Sequence, residues 1–316
     1  MRPEHHPATR TKATISRAAA VKRLREHLAA EAALPLQEGS RSQLLLHPQP
    51  TGKGVVVLFH GWSSGTYQYD VLAPQIYARG FDVYIPRLPG HGFKKPDGTS
   101  DPGHLLKSHE ALGYRRYADE VYDRVRHLGG PVQVVGLSGG GNVALDLVAR
   151  HPEIRGAVAI APFLGSQDWK ARTGHHLMWA LDRLTFGQGS RFLNRLNHSW
   201  GPVEPTTGAG HWNHPIGAIY AMARYGDHVM RDLPKTRAPI QFITSATDRA
   251  ASARLITEAH EKTGKNSRNG FYEFPAQLNV PHPMVHPLTN PVTSSIEKLN
   301  EITLKFLDAQ IPTDSP

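Results

Sequence analysis

Val132-Gln133-Val134-Val135-Gly136-Leu137-Ser138-Gly139-Gly140-Gly141-Asn142 opens as a short apolar run, too brief for a helix, and reads as a buried strand. It turns through Gly136-Leu137-Ser138-Gly139-Gly140 and continues into a helix with Val143, Ala144, Leu147 and Val148 on one face, ended by Arg150-His151-Pro152. A serine between glycines at a strand-to-helix turn meets the requirements of a nucleophile elbow. Glycines remove the Cβ atoms that would block a sharp turn and a close approach of helix to strand. A tight turn with a surface serine is the plain alternative, and what surrounds the stretch decides between the two.

Outward from the elbow, strand and helix alternate. Val55-Val56-Val57-Leu58-Phe59 is apolar on both faces, as a central parallel strand must be, and it runs into His60-Gly61-Trp62. A helix with Tyr69, Leu72 and Ile76 inward closes at Gly80, and Phe81-Asp82-Val83-Tyr84-Ile85 follows as a strand leading to Pro89-Gly90-His91-Gly92. A helix striped by Tyr114, Tyr117, Val121, Val125 and Leu128 precedes the elbow strand, and Gly156-Ala157-Val158-Ala159-Ile160-Ala161-Pro162 succeeds its helix. The rhythm breaks over 163–237, where helical patches appear without a strand. It resumes with Ile240-Gln241-Phe242-Ile243-Thr244-Ser245, a helix around Leu255, Ile256 and Ala259, and the strand Phe271-Tyr272-Glu273-Phe274. A last helix opens on a capping-box pattern from Ser294 to Glu297. Upstream, Ser42-Gln43-Leu44-Leu45-Leu46-His47 reads as a strand, turned by 48–54 into the next. The pattern is that of an α/β fold with a mostly parallel sheet covered by helices on both faces. The core is assigned to 40–162 and 238–316 and a helical cap insertion to 163–237. A basic tail and an amphipathic helix occupy 1–39.

Bulk properties narrow the function classes. The 316 residues, 39% hydrophobic and 20% charged, suit a soluble globular protein with one large core. No apolar run approaches a membrane span, so stable membrane insertion is not expected, and a cytoplasmic location is. Cysteine is absent, which excludes disulfides, thiol nucleophiles and thiolate metal sites. The net charge of +9 is spread out. Its densest group, around Arg10, Lys12, Arg17, Lys22, Arg23 and Arg25, lacks the interleaved aromatics a base-stacking surface needs, so no nucleic-acid partner is expected. His175-His176, and His211 with His214, have no carboxylate at ligand spacing, so neither a metal nor a cofactor is expected.

A serine hydroxyl needs a base to take its proton and an acid to orient that base. Asp248 is the expected acid, because it leaves the strand at 240–245 on the edge of the sheet that carries Ser138. Asp227 and Asp232 precede that strand and are poorer candidates. The base belongs in the loop after the last strand, Asn279-Val280-Pro281-His282-Pro283-Met284-Val285-His286-Pro287. His282 is favoured because it comes sooner after the strand on a stiff backbone that Met284-Val285 can anchor; His286 is the alternative. An oxyanion needs fixed donors, and backbone N–H groups reorganise least. Gly139, at the start of its helix, and Trp62, after the strand at 55–59, are placed to supply them. The Trp62 ring reads equally as acyl-pocket lining or as ordinary packing. His91 and Arg87 read as loop-stabilising.

His60-Gly61-Trp62, the Pro89-Gly90-His91-Gly92 loop, Gly136-Leu137-Ser138-Gly139-Gly140, Asp248 and His282 stand in this order, each at a strand end. Together they resemble the α/β-hydrolase superfamily, most closely its carboxylesterase and monoacylglycerol-lipase-like branch, over roughly 40–162 and 238–310. The resemblance implies an eight-stranded sheet, a serine acyl-enzyme mechanism and one helical cap inserted after the sixth strand. Ser138 argues against the epoxide hydrolases and haloalkane dehalogenases of the superfamily, which carry aspartate there. Gly139 stands where that branch often has Met, Leu or Gln, which leaves the pocket wall open at that point. The histidine segment lacks the branch's common Gly-His pair. Trp169, Trp179, Trp200, Trp212, Met178, Met222 and Met230 concentrate large apolar side chains in the insertion. The expected activity is hydrolysis of a small-molecule carboxylic ester with a mainly apolar acyl group. Thioesterase, lactonase, amidase or acyltransferase chemistry on the same residues, or non-catalytic binding of a small ligand, are the alternatives.

Overall fold

The runs that are apolar on both faces become the middle of a sheet. A computed structural model describes residues 15–165, 177, 180, 181, 183–185, 215–263 and 266–311 of the chain. Seven strands are formed among these residues: β1 (Gln43–Leu45), β2 (Val55–Phe59), β3 (Asp82–Ile85), β4 (Val132–Leu137), β5 (Ala157–Ile160), β6 (Ile240–Ser245) and β7 (Gly270–Phe274). Their order across the sheet is β1-β3-β2-β4-β5-β6-β7. Every pairing is parallel except β1 with β3, where Gln43 lies opposite Ile85. β2, β4 and β5 are buried at every residue, which accounts for their lack of polar alternation.

The resemblance implied eight strands, and the described residues form seven. The described residues ahead of Gln43 form a helix, α1 (Arg17–Ala32), and a single bridge from Leu36 to Phe93, and among them no strand extends the sheet past β1. Ser16 caps this helix, Ala20 and Leu24 are buried, and Arg17 reaches Asp82 at 2.8 Å and the Leu128 carbonyl at 2.7 Å. The helix therefore covers the core, and part of the basic N-terminal charge is structural.

The further α-helices described from end to end are α2 (Leu72–Ala78), α3 (Gly113–Val125), α4 (Gly139–Arg150), α5 (Ile216–Asp232), α6 (Ala253–Lys262) and α7 (Thr293–Ala309). α1, α3, α4 and α5 pack in a row. α2 and α7 are tied together by the Arg79–Asp308 ion pair. The chain moves one way across the sheet from β2 to β3 and the other way from β3 to β4. Right-handed crossovers then place their helices on opposite faces. The reversal opens a crevice between the carboxyl ends of β2 and β4, the usual ligand position in an open α/β sheet.

α4 is buried along both sides because α3 and α5 flank it. Its Asp146 is fully buried and is held by Arg115 at 2.6 Å and Arg150 at 2.8 Å; Arg115 also reaches Asp232 at 2.8 Å. Removing one member of such a buried cluster strands the others, at a cost of about 3 kcal/mol. Asp232 is thus occupied in packing α5 against α3 and α4.

The capping box from Ser294 to Glu297 is not formed. α7 starts at Thr293 with no side-chain bond to its first turn, so Ser294 is already helical. Asn290 does the joining instead: its Oδ1 accepts from the Val292 N–H at 3.0 Å, and its amide donates to Ser295 Oγ at 2.8 Å and the Met284 carbonyl at 3.0 Å. The expectations for the tail over 1–14, for Trp169, Trp179, Trp200, Trp212 and Met178, and for His175, His176, His211 and His214 lie outside the described residues. Within the helical patches expected over 163–237, Leu177, Ala180, Leu181, Arg183 and Leu184 are described and are helical.

Candidate active site

Ser138 leaves β4 with φ 54° and ψ −118°, a backbone conformation rare for a residue with a side chain. Its surroundings enforce the turn. A Cβ at Gly136 would sit 2.1 Å from the Gly140 carbonyl oxygen, and one at Gly140 would sit 2.1 Å from that of Phe59. Only glycine at both points lets α4 return so close over β4 and β2. The serine backbone is held on both sides, its N–H donating to Ile160 at 2.8 Å and its carbonyl accepting from Phe163 at 3.1 Å. Strain of this kind persists where the surrounding structure over-determines it.

The turn delivers the hydroxyl to His282, whose Nε2 accepts from Ser138 Oγ at 2.8 Å. On the other side of the ring, Nδ1 donates to Asp248 Oδ2 at 2.7 Å. A carboxylate only accepts, so the ring proton sits on Nδ1 and the Nε2 lone pair faces the serine. The Asp248 carboxylate is fully buried while His282 remains one-fifth exposed (20%), so the ring can meet a substrate and the acid cannot. The second carboxylate oxygen accepts from the N–H groups of Ala250 and Ala251 at 2.8 and 2.9 Å. Both Asp248 oxygens are therefore committed. The helix-cap role that competes for an aspartate here belongs to Ser252, which bonds Leu255 N–H at 3.3 Å.

The loop carrying His282 is fastened along its length. Ser245 Oγ, at the end of β6, donates to the Val280 carbonyl at 2.9 Å, Thr289 Oγ1 to that of Pro283 at 2.8 Å and the Asn290 amide to that of Met284, and Met284 and Val285 are buried. His286 faces elsewhere. It packs edge-on to the Tyr67 ring at 5.5 Å and accepts from Leu288 N–H at 3.2 Å, and burial pushes its pKa down. The structure thus brings Ser138, His282 and Asp248 into one hydrogen-bonded chain and leaves His286 and Asp232 out of it.

Trp62 and Gly139 meet at the mouth of the crevice: a Cβ built on Gly139 would lie 2.7 Å from Trp62 Cβ. The expected opening beside Gly139 is absent. Met222 of α5 fills it, with its terminal methyl 3.0 Å from that same Cβ position and its sulfur 3.6 Å from the Asn142 amide that donates to it. The missing side chain is replaced from another element, which no reading of the elbow alone can show. Trp62 turns its indole N–H to the Tyr114 hydroxyl at 2.9 Å, and Tyr114 stacks on Tyr225 at 5.4 Å. Gln68 Oε1 accepts from the Gly61 N–H at 2.7 Å. Gln68, Tyr114, Asn142 and Met222 all support the site from positions that carry no motif. Among the described residues no three His, Cys, Asp or Glu side chains converge to hold a metal ion, and no helix is long and apolar enough to cross a membrane.

The arrangement pairs a hydroxyl with a base of defined tautomer beside a helix N-terminus, the geometry required to attack a carbonyl and hold the resulting charge. A family profile described as serine aminopeptidase, S33 (Hydrolase_4) matches residues 50–273, a span that contains Trp62, Ser138 and Asp248 and stops short of His282. The pimeloyl-[acyl-carrier protein] methyl ester esterase of Aromatoleum aromaticum is 37% identical over 97 residues, 31% of this chain and 32% of that protein. The thermostable monoacylglycerol lipase of a Bacillus species is 30% identical over 107 residues, 33% of this chain and 39% of that protein. The chain therefore spans about a third of the length of these curated relatives. Among solved structures, the Paleococcus ferrophilus monoacylglycerol lipase superposes with a TM-score of 0.62 at 18% identity, over 85% of this chain and 98% of that one, a likeness of fold. The profile match covers well over half of the chain and runs through the strands that carry the serine and the acid, so the chain belongs to the serine aminopeptidase S33 (Hydrolase_4) family of α/β-hydrolases.

Proposed function

We propose that this protein is a serine hydrolase that cleaves a small carboxylic ester with a mainly apolar acyl group through an acyl-enzyme. The observation that carries the reading is the His282 ring, bonded to Ser138 Oγ at 2.8 Å and to Asp248 at 2.7 Å. In this mechanism Ser138 Oγ attacks the ester carbonyl as its proton passes to His282 Nε2. Asp248 keeps the imidazole in the required tautomer and balances the imidazolium. The oxyanion is held by the N–H groups of Trp62 and Gly139. Collapse expels the alkoxide, which takes the proton from His282, and water repeats the sequence in reverse roles to release the acid. No metal or organic cofactor enters any step.

Asp248 does not hold a substrate ammonium group, since both of its oxygens are engaged by His282, Ala250 and Ala251. The apolar acyl preference rests on Met222 and Trp62, which meet beside Gly139. In this reading 163–237 forms a helical cap over the crevice, and α5 anchors its return to the core.

Hydrolysis of a ladder of aryl esters by the wild-type protein and by Ser138→Ala tests the reading. The expected result is turnover that rises with acyl length in the wild type and falls by roughly four to six orders of magnitude in a folded Ser138→Ala variant. Near-wild-type turnover in that variant would refute it.

A further inference from the structure

Behind Trp62, two buried histidine rings close on the backbone of one loop. His60 Nε2 accepts from the Leu88 N–H at 3.0 Å, which leaves its ring proton on Nδ1, and Nδ1 donates to the Gly61 carbonyl at 2.9 Å. That carbonyl shares a planar peptide unit with the Trp62 N–H, so fixing one aims the other. The next peptide is held from the other side. His91 Nε2 is hydrogen-bonded to the Trp62 carbonyl, and His91 Nδ1 lies 2.9 Å from the carbonyl of Pro89. The two peptide planes that flank the Trp62 Cα are thus each gripped by an imidazole.

The His91 contacts carry a chemical requirement that those of His60 do not. Carbonyl oxygens have no proton to give, so a ring nitrogen bonded to one must be the donor. A neutral imidazole has one N–H, and His91 has two such partners. We propose that His91 is a positioning residue held as the imidazolium, whose two N–H donors join the Trp62 and Pro89 carbonyls and so fix the loop that presents the Trp62 N–H to the oxyanion.

The charged and titratable groups around the ring allow this. From the loop after β2, the His60 ring stands edge-on at 5.4 Å. Burial and the neighbouring His91 push the His60 pKa down to about 3, so the two rings do not compete for the charge. From the loop after β3, Arg87 donates to the His91 backbone carbonyl at 2.9 Å. The Arg87 charge is met by Glu31 of α1 at 3.2 Å. Two charge-assisted bonds to carbonyls offset part of the desolvation of the ring.

This inference rests on the reading of Trp62 as an oxyanion donor, and two measurements separate them. Long-range 15N–1H correlation spectra of the histidine rings in the wild-type protein near neutral pH report protonation directly. Loss of peaks in His91→Gln and His60→Gln assigns them. Expected are two protonated nitrogens on His91 and the Nδ1–H tautomer on His60; a single-tautomer neutral His91 overturns the proposal. Steady-state kinetics supply the second arm. His91→Phe keeps a ring but no donor and is expected to lower kcat by about ten- to a hundredfold. Its KM should stay within about threefold, since the loop acts on the transition state, and His91→Gln should recover part of the loss. Wild-type kcat in folded His91→Phe, with Ser138 still required for turnover, overturns this inference alone. Turnover that survives Ser138→Ala removes the ester-hydrolase reading instead and with it the role of the loop.

Discussion

The loops after β2 and after β7 both end at Ser138, and they are built for different deliveries. In the proposed mechanism the first offers a backbone N–H, so its peptide planes must be fixed. Gln68 takes the Gly61 N–H, His60 the Gly61 carbonyl, and His91 the Trp62 carbonyl. The second offers a side chain, so what must be fixed is a ring and its tautomer. Its backbone is also fastened, by Ser245 and Thr247 at the Val280 carbonyl, Thr289 at that of Pro283 and Asn290 at that of Met284, but a single carboxylate sets the ring. A backbone donor is set by the planes of its peptides and the imidazole by one carboxylate, so the two loops should fail differently when mutated.

The largest expected effect is on the β7 side. Asp248→Asn keeps the shape but offers His282 Nδ1 an amide, and the tautomer that faces Ser138 is no longer enforced. The kcat for a good ester substrate should fall by about ten-thousandfold while the melting temperature changes little. A loss of less than about tenfold would mean that the ring is oriented by its loop and that the contrast is false. On the β2 side a single methyl is expected to act through the backbone. Gly139→Ala places a Cβ 2.7 Å from Trp62 Cβ and 3.0 Å from the Met222 methyl, so both must shift. The expected outcome is a fall in kcat of about tenfold, smaller than for Asp248→Asn because the N–H is displaced and not removed. Unchanged kinetics would show that the loop gives way without consequence.

Much of this arrangement is legible in the chain. Val55–Phe59 and Ile240–Ser245 are strands over the spans read from the sequence, while β4 runs on to Leu137, two residues into the expected turn. The turn at Ser138 is legible because two glycines are compelled by backbone contacts of 2.1 Å. The choice between His282 and His286 was left open by sequence, because four residues of loop carry no period that tells which ring faces the serine. The strand count and the start of α7 differ from expectation for local reasons: the described residues ahead of β1 form a helix, and Asn290 joins where a capping box is expected. Met222 was out of reach in a stronger sense. Its place against Gly139 depends on how α5 returns to α4, a contact between residues more than eighty positions apart that neither segment announces.

The central claim is that Ser138 is activated by His282 and not by His286. Labelling of the purified protein with a fluorophosphonate, followed by peptide mass spectrometry, tests it without presuming a substrate. The expected result is an adduct on Ser138 that persists at near-wild-type rate in His286→Ala and is lost in His282→Ala. An adduct that survives His282→Ala but not His286→Ala, or no adduct on Ser138 in the folded wild-type protein, would contradict it.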